Sequence, residues 1–232
     1  MGMTNNDGCW MRDRCNKRFC SGFCPRHYKL SYLCDEALLT PTQRRDVILV
    51  PGTGAASDMD AFMELNGIKE DAEGFVSRGE SLYLHSGRCG NGKTSWALKI
   101  MMGYLNSIWP SSPLGCRALF VSVPKLLLAL KDNISERSDY ASHVKANVLR
   151  ADVVIWDDIA TKQSTVFEAE NLFSMIDSRI SAGKSNIFTS NLSDSELHEA
   201  LGDRLASRIS NSTHNIELRG LDKRRLRQED LR

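Results

Sequence analysis

Apolar residues fall along this chain in short runs, separated by longer stretches in which they recur every three or four positions. The runs begin at Leu82 (LYLH) and continue in Arg117–Val123 (RALFVSV), Ala151–Ala160 (ADVVIWDDIA) and Ser185–Asn191 (SNIFTSN). Runs this short, bounded by turn residues, predict buried strands, and His214–Leu218 supplies a fifth. Helical spacing fills the gaps. Thr94–Leu105 predicts one helix, and Pro124 opens another (PKLLLALKDNI) whose leucines are expected in the core. Ser164–Ile180 is amphipathic, with Phe167, Leu172, Ile176 and Ile180 inward, and LSDSELHEALGDRLASRI reads as one or two helices. The polar stretch Ser135–His143 predicts a loop with His143 on the surface. Strands alternating with helices predict an α/β fold with a parallel sheet covered on both faces.

Outside this alternation lie two further regions. Residues 1–45 form a Cys-rich region, 46–80 a linker with local helix at Asp58–Leu65 and Glu70–Arg78, and 81–232 the α/β domain. A chain of 232 residues with 41% hydrophobic content can bury a sizeable core. The formal net charge of +1 excludes a strongly basic nucleic-acid coat, so any DNA contact must come from local patches. No apolar run reaches the length of a membrane span and no signal-peptide core opens the chain, so no membrane contact and a cytoplasmic location are expected.

Seven cysteines without an export signal argue against a disulfide framework. Cys9, Cys15, Cys20 and Cys24 follow one another as C-x5-C-x4-C-x3-C, with His27 two residues beyond, among basic and aromatic residues. Thiolates this closely spaced can close a tetrahedral Zn²⁺ site, with His27 or Cys34 as replacements, or stand as free thiols.

The chemistry concentrates after Leu82. Gly87, Arg88, Cys89, Gly90, Asn91, Gly92, Lys93 and Thr94 fill the pattern G-x-x-x-x-G-K-[ST], between a strand and a helix, with Ser95 next. Glycines let successive backbone N–H groups turn inward around an anion. Lys93 neutralises the outer phosphates, Thr94 ligates Mg²⁺, and the helix N-terminus faces the anion. A nucleoside triphosphate site is expected. Asp157 ends a buried strand at the edge where α/β proteins place ligands, so it can hold Mg²⁺. Its neighbour Asp158 is placed to act as general base on water. Asn191 ends another strand at the same edge, and Arg204 and Arg208 lie one helical turn apart.

Taken in order, GRCGNGKTSWALKIM, VVIWDDIA, NIFTSNL, ALGDRLASRI and GLDKRR resemble the DnaC/DnaI/IstB branch of AAA+ ATPases over residues 80–227, with bacterial and phage helicase loaders nearest. The resemblance implies an ATPase with ATP and Mg²⁺ as ligands and no C-terminal lid. It assigns Asp157 as metal ligand, Asp158 as water-activating acid, Asn191 as a γ-phosphate sensor, Arg208 as an arginine finger acting on a neighbouring subunit, and Arg225 as a second sensor. It implies self-association into a spiral or ring, a DnaB-type replicative helicase hexamer as partner, and single-stranded DNA on the inner surface, for which Lys125 and Lys131 are candidates. The Cys-rich arm resembles the zinc-binding, helicase-engaging arm of such loaders. An IstB-like transposition helper and a non-hydrolysing modulator of helicase loading are the rival expectations.

Overall fold

The computed structural model of the chain describes residues 9–11, 15, 24–45, 47–52, 57–132, 138–160 and 164–220. Five strands, β1 (Leu82–His85), β2 (Ala118–Ser122), β3 (Val153–Asp157), β4 (Ser185–Ser190) and β5 (His214–Glu217), form one sheet in the order β2-β3-β4-β1-β5. All pairs are parallel, so each connection crosses over the sheet and both faces are covered. That is why the strand sequences are near-continuous apolar runs. Successive side chains feed opposite cores: Leu82, Leu84, Ala118, Phe120, Val153 and Ile155 enter one, and Tyr83, Leu119, Val121, Val154, Trp156 and Phe188 the other.

The first core lies under α4 (Lys93–Ile108), which buries Trp96, Ile100, Met101 and Leu105. Two helices predicted as local structure in a linker, α2 (Met59–Glu70) and α3 (Ala72–Ser77), pack directly on α4. Phe62 meets Trp96 edge-to-face with ring centroids 5.0 Å apart. A Cβ at Gly103 would stand 2.9 Å from the Lys69 carbonyl oxygen, so glycine permits this close crossing.

The Cys-rich region is only partly separate from this core. Pro25–Glu36 forms α1, which buries Leu30, Leu33 and Cys34 against β2 and α4. The Phe120 amide then donates to the Ala37 carbonyl, tying the chain after α1 to β2. Cys34, offered by sequence as a replacement zinc ligand, sits in the core with Sγ 3.9 Å from Met102 Sδ. Cys9, Cys15 and Cys24 are half-buried free thiols. Cys20 lies outside the described residues, among which no group of three metal-ligating side chains gathers.

The second core is covered by α5 (Val123–Asp132), α6 (Asp139–Asn147), α7 (Val166–Ser181), α8 (Asp194–Leu201) and α9 (Asp203–Ser210). Here the expectations need three corrections. Part of the predicted polar loop is α6: Ser138 caps it by accepting from the Ala141 amide, and Ala141 and Val144, three apart, are buried. His143 on this helix hydrogen-bonds the Glu36 carbonyl at 2.9 Å, joining α6 to α1. On α5, Leu126 and Leu130 are buried but Leu128 is exposed. On α7, Leu172 and Ile176 face the core while Phe167 is exposed and Ile180 only partly covered. The segment left as one or two helices is two, broken at Gly202 with φ 81° and ψ 153°. No described helix is long and apolar enough to cross a membrane.

Candidate nucleotide-binding site

Strand register sets the site. Leu84 pairs with Thr189 and His85 with Ser190, while Ser122 pairs with Asp157. The loop after β1, Asp157 and Thr189 therefore share one edge of the sheet. The loop reaches α4 through two glycines with positive φ, Gly90 (79°) and Gly92 (104°), a conformation that L side chains adopt only at a cost.

Lys93 is buried and its Nζ donates to three oxygens: the Arg88 carbonyl (3.0 Å), Asn91 Oδ1 (3.2 Å) and Asn191 Oδ1 (2.8 Å). The ammonium thus sits within the curl of the loop. Asn91 is fully buried and its amide donates to the Leu218 carbonyl at 2.7 Å, anchoring the loop to the exit of β5. A further brace comes from Asp58, buried at the start of α2. Its carboxylate accepts from the Gly52 and Gly220 amides, holding the segment before α2 to the segment after β5. Arg88 and Cys89 are exposed at the tip of the loop. Beside Ser95, a groove lined by Thr42, Gln43, Val47, Leu98 and Lys99 continues along α4.

The acidic half faces the loop across a short gap. Thr94 Oγ1 donates to Asp157 Oδ1 at 2.8 Å, and Thr189 Oγ1 donates to the same oxygen at 2.9 Å. Burial raises the pKa of Asp157, while the Thr94 and Thr189 hydrogen bonds and the Lys93 charge pull it down. Thr94 and Asp157 together offer hard oxygen donors to one point, which suits a divalent cation such as Mg²⁺. Asp158 has φ 53°, a left-handed turn, and its amide donates to Thr189 Oγ1 at 3.0 Å. Asp158 lines a groove with Leu127, Leu128, Lys131, Ile159 and Glu168.

Of the residues named from sequence, the structure therefore brings together Lys93, Thr94, Asn91, Asn191 and Asp157. Arg204 and Arg208 are elsewhere, on α9 against α7: the Arg204 guanidinium lies 3.9 Å from the Phe173 ring centroid, and Arg208 pairs with Asp177. Arg225 lies outside the described residues. The two lysines offered for DNA are both engaged within the chain. Lys131 pairs with the buried carboxylate of Glu168 at 2.8 Å, and Lys125 lies 4.3 Å from the Tyr140 ring centroid. Thr189 and Asp58 were not named from sequence. The only signal for Thr189 was a hydroxyl two residues before Asn191 on the same strand.

A five-stranded parallel sheet, a glycine loop running from β1 into a helix, and a carboxylate ending β3, with β4 between the two strands, define a P-loop ATPase core of the AAA+ type. Residues 64–230 match the family described as IstB-like ATP binding protein. The chain belongs to that family and is a DnaC/IstB-type AAA+ ATPase. No curated protein matches it at the sequence level. Among solved structures it is similar to the DnaC helicase loader, with TM-score 0.56 and 19% identity over 73% of this chain and 93% of that one. It is also similar to DnaI, with TM-score 0.58 and 20% identity over 82% and 99%. A putative primosome component from Streptococcus pyogenes serotype M3 gives 0.59 and 21% over 82% and 96%. At these identities the structural likeness establishes the shared fold.

Proposed function

We propose that this chain hydrolyses ATP to load a DnaB-type replicative helicase onto single-stranded DNA. The observation that carries the nucleotide chemistry is the convergence of Lys93, Asn191, Thr94 and Asp157 within hydrogen-bond reach of one another. In this reading Gly87–Thr94 wrap the phosphates, Lys93 neutralises the terminal ones, and Asn191 orients the γ-phosphate or its water. Thr94 and Asp157 would hold Mg²⁺, which supplies Lewis-acid stabilisation of phosphoryl charge. Asp158 is the general base. Arg208 acts on the ATP of an adjacent copy, because a cation at the developing charge stabilises the transition state. The partner assignment is supported by the fold shared with proteins described as a helicase loader and a primosome component. The Cys-rich arm is proposed to contact the helicase. Zn²⁺ in that arm rests on the spacing of Cys9, Cys15, Cys20 and Cys24 alone, and no step of the mechanism runs through it.

The family match favours one second reading, in which the same ATPase core serves a transposase on duplex DNA. Co-purification separates the two. The full-length chain with ATP should retain a DnaB-type helicase, and Lys93→Ala should abolish both ATP binding and ATP-dependent retention. Retention of a transposase in place of the helicase would overturn the loader reading. Undiminished ATP affinity in Lys93→Ala would overturn the site.

A further inference from the structure

A stripe of α7 formed by Phe173, Asp177 and Ser181, spaced four residues apart, meets α9: Arg204 lies over the Phe173 ring, and Arg208 in the last turn bonds Asp177 and Ser181. Arg208 Nε donates to Asp177 Oδ1 at 2.6 Å, and Nη2 donates to Ser181 Oγ at 3.1 Å. We infer that Asp177, with Ser181, is a positioning device for the Arg208 finger, fixing its guanidinium for delivery to the ATP of an adjacent copy. This rests on the reading of Arg208 as a finger acting in trans.

The geometry carries the inference in three steps. Arginine has a long stem with several rotatable bonds, and ordering it at a neighbour's phosphate costs conformational entropy. Holding Nε and Nη2 fixes the plane of the fork while leaving Nη1, which bonds to no described residue, able to donate to a phosphate oxygen. Asp177 and Arg208 are both partly exposed, with side-chain exposures of 33% and 44%. An ion pair that open contributes little to folding, so orientation is the larger consequence of the contact.

The test is complementation between full-length variants in an ATPase assay with single-stranded DNA. Lys93→Ala lacks the phosphate grip but carries Arg208, whereas Arg208→Ala binds ATP but lacks the finger. Mixing the two should restore turnover at mixed interfaces. A donor carrying both Lys93→Ala and Asp177→Ala should restore a maximal rate roughly tenfold lower, with the donor concentration for half-effect unchanged. An Asp177→Asn donor should recover most of that loss, since its amide oxygen still accepts from Nε. Full restoration by the Asp177→Ala donor, or a rate above that of the Lys93→Ala donor, would overturn the positioning role while leaving the finger intact. A shift confined to the half-effect concentration would also overturn it, making Asp177 an assembly contact. No restoration by the Lys93→Ala donor itself would overturn the finger reading and this inference with it.

Discussion

Thr189 holds both members of the acidic pair through one hydroxyl. Its hydroxyl donates to Asp157 Oδ1 and accepts from the Asp158 amide, so one side chain sets the carboxylate and the left-handed turn after it. Thr189→Val keeps the β-branched shape in a fully buried strand position but removes both bonds. ATP turnover should fall by about tenfold or more while ATP affinity stays within a few-fold, because partners behind a carboxylate in the proposed Mg²⁺ role tune chemistry more than phosphate grip. Parallel measurement of kcat and ATP dissociation constant checks this. At this scale the convergence of Lys93, Thr94 and Asp157 was legible because a glycine loop between strand and helix, and an acid ending a buried strand, restrict residue type and spacing together. Thr189 was not, since a threonine in a strand is ordinary and only register puts it beside Asp157. Asp58 was hidden because one of its two partners, Gly220, lies 162 residues further along the chain.

At the scale of elements, α7 shows why a helical pattern does not fix every inward position. Its start is a capping box: Thr165 and Glu168 each accept from the other's backbone amide, and Glu168 is buried by pairing with Lys131 from α5. That pairing turns the first turn of the helix so that an acid faces inward and Phe167 outward, the reverse of what hydrophobicity predicts. The Lys131 and Thr165 hydrogen bonds hold the Glu168 carboxyl at about 2, below its ordinary 4.5. A carboxyl lowered by folding stabilises the native state fully above its unfolded value. The contribution should therefore be complete above pH 4.5 and fade as pH falls through 2. Glu168→Ala should cost about 1–2 kcal/mol near neutral pH by losing the cap and stranding Lys131. Its deficit against the parent should shrink in acid, as denaturant unfolding at several pH values will show. The helix α6 was missed because its apolar content is low, and Ser138 capping with two buried residues is enough when β2 and α1 stand ready to cover it.

For the whole molecule, the decisive feature is how much of the N-terminal region belongs to the ATPase core. Leu30, Leu33, Ala37 and Leu39 are buried with the β-strand side chains, and Ala37 accepts a hydrogen bond from Phe120 on the outer strand β2. A chain beginning at residue 46 would lose three buried leucines at roughly 1.5–3 kcal/mol each, comparable to a typical domain's total stability of about 5–15 kcal/mol. It would also bare an unpaired strand edge. Such a chain should aggregate or unfold without a cooperative transition. One beginning at Cys24 loses the buried Met11, the core packing of Cys9 and Trp10, the Trp10–Ser31 hydrogen bond and the Trp10–His27 ring contact, and should unfold cooperatively at a modestly lower temperature. Thermal unfolding followed by circular dichroism distinguishes the two, and the second chain is the proper arm deletion for testing helicase contact.

Another tertiary decision lies at the opposite edge of the sheet from the loop. Arg179 is fully buried near the start of β3 and β4. Its guanidinium donates to the Val148, Ala151, Asp152 and Ser185 carbonyls and to Asn186 Oδ1, and burial pushes its pKa down to about 9. The helical pattern of α7 put Ile180 inward, whereas the structure buries its neighbour Arg179 fully and covers Ile180 only in part. Alternation of apolar runs with helical spacing, the glycine loop and the acidic strand end were fixed locally, so residue order alone determined the sheet class and the glycine loop at its edge. Which helices the core recruits, which charges go inside, and which arginine of α9 pairs with Asp177 depend on contacts between segments far apart in the chain. Only the packed structure could decide those, because burial belongs to pairs of surfaces and no single stretch carries both.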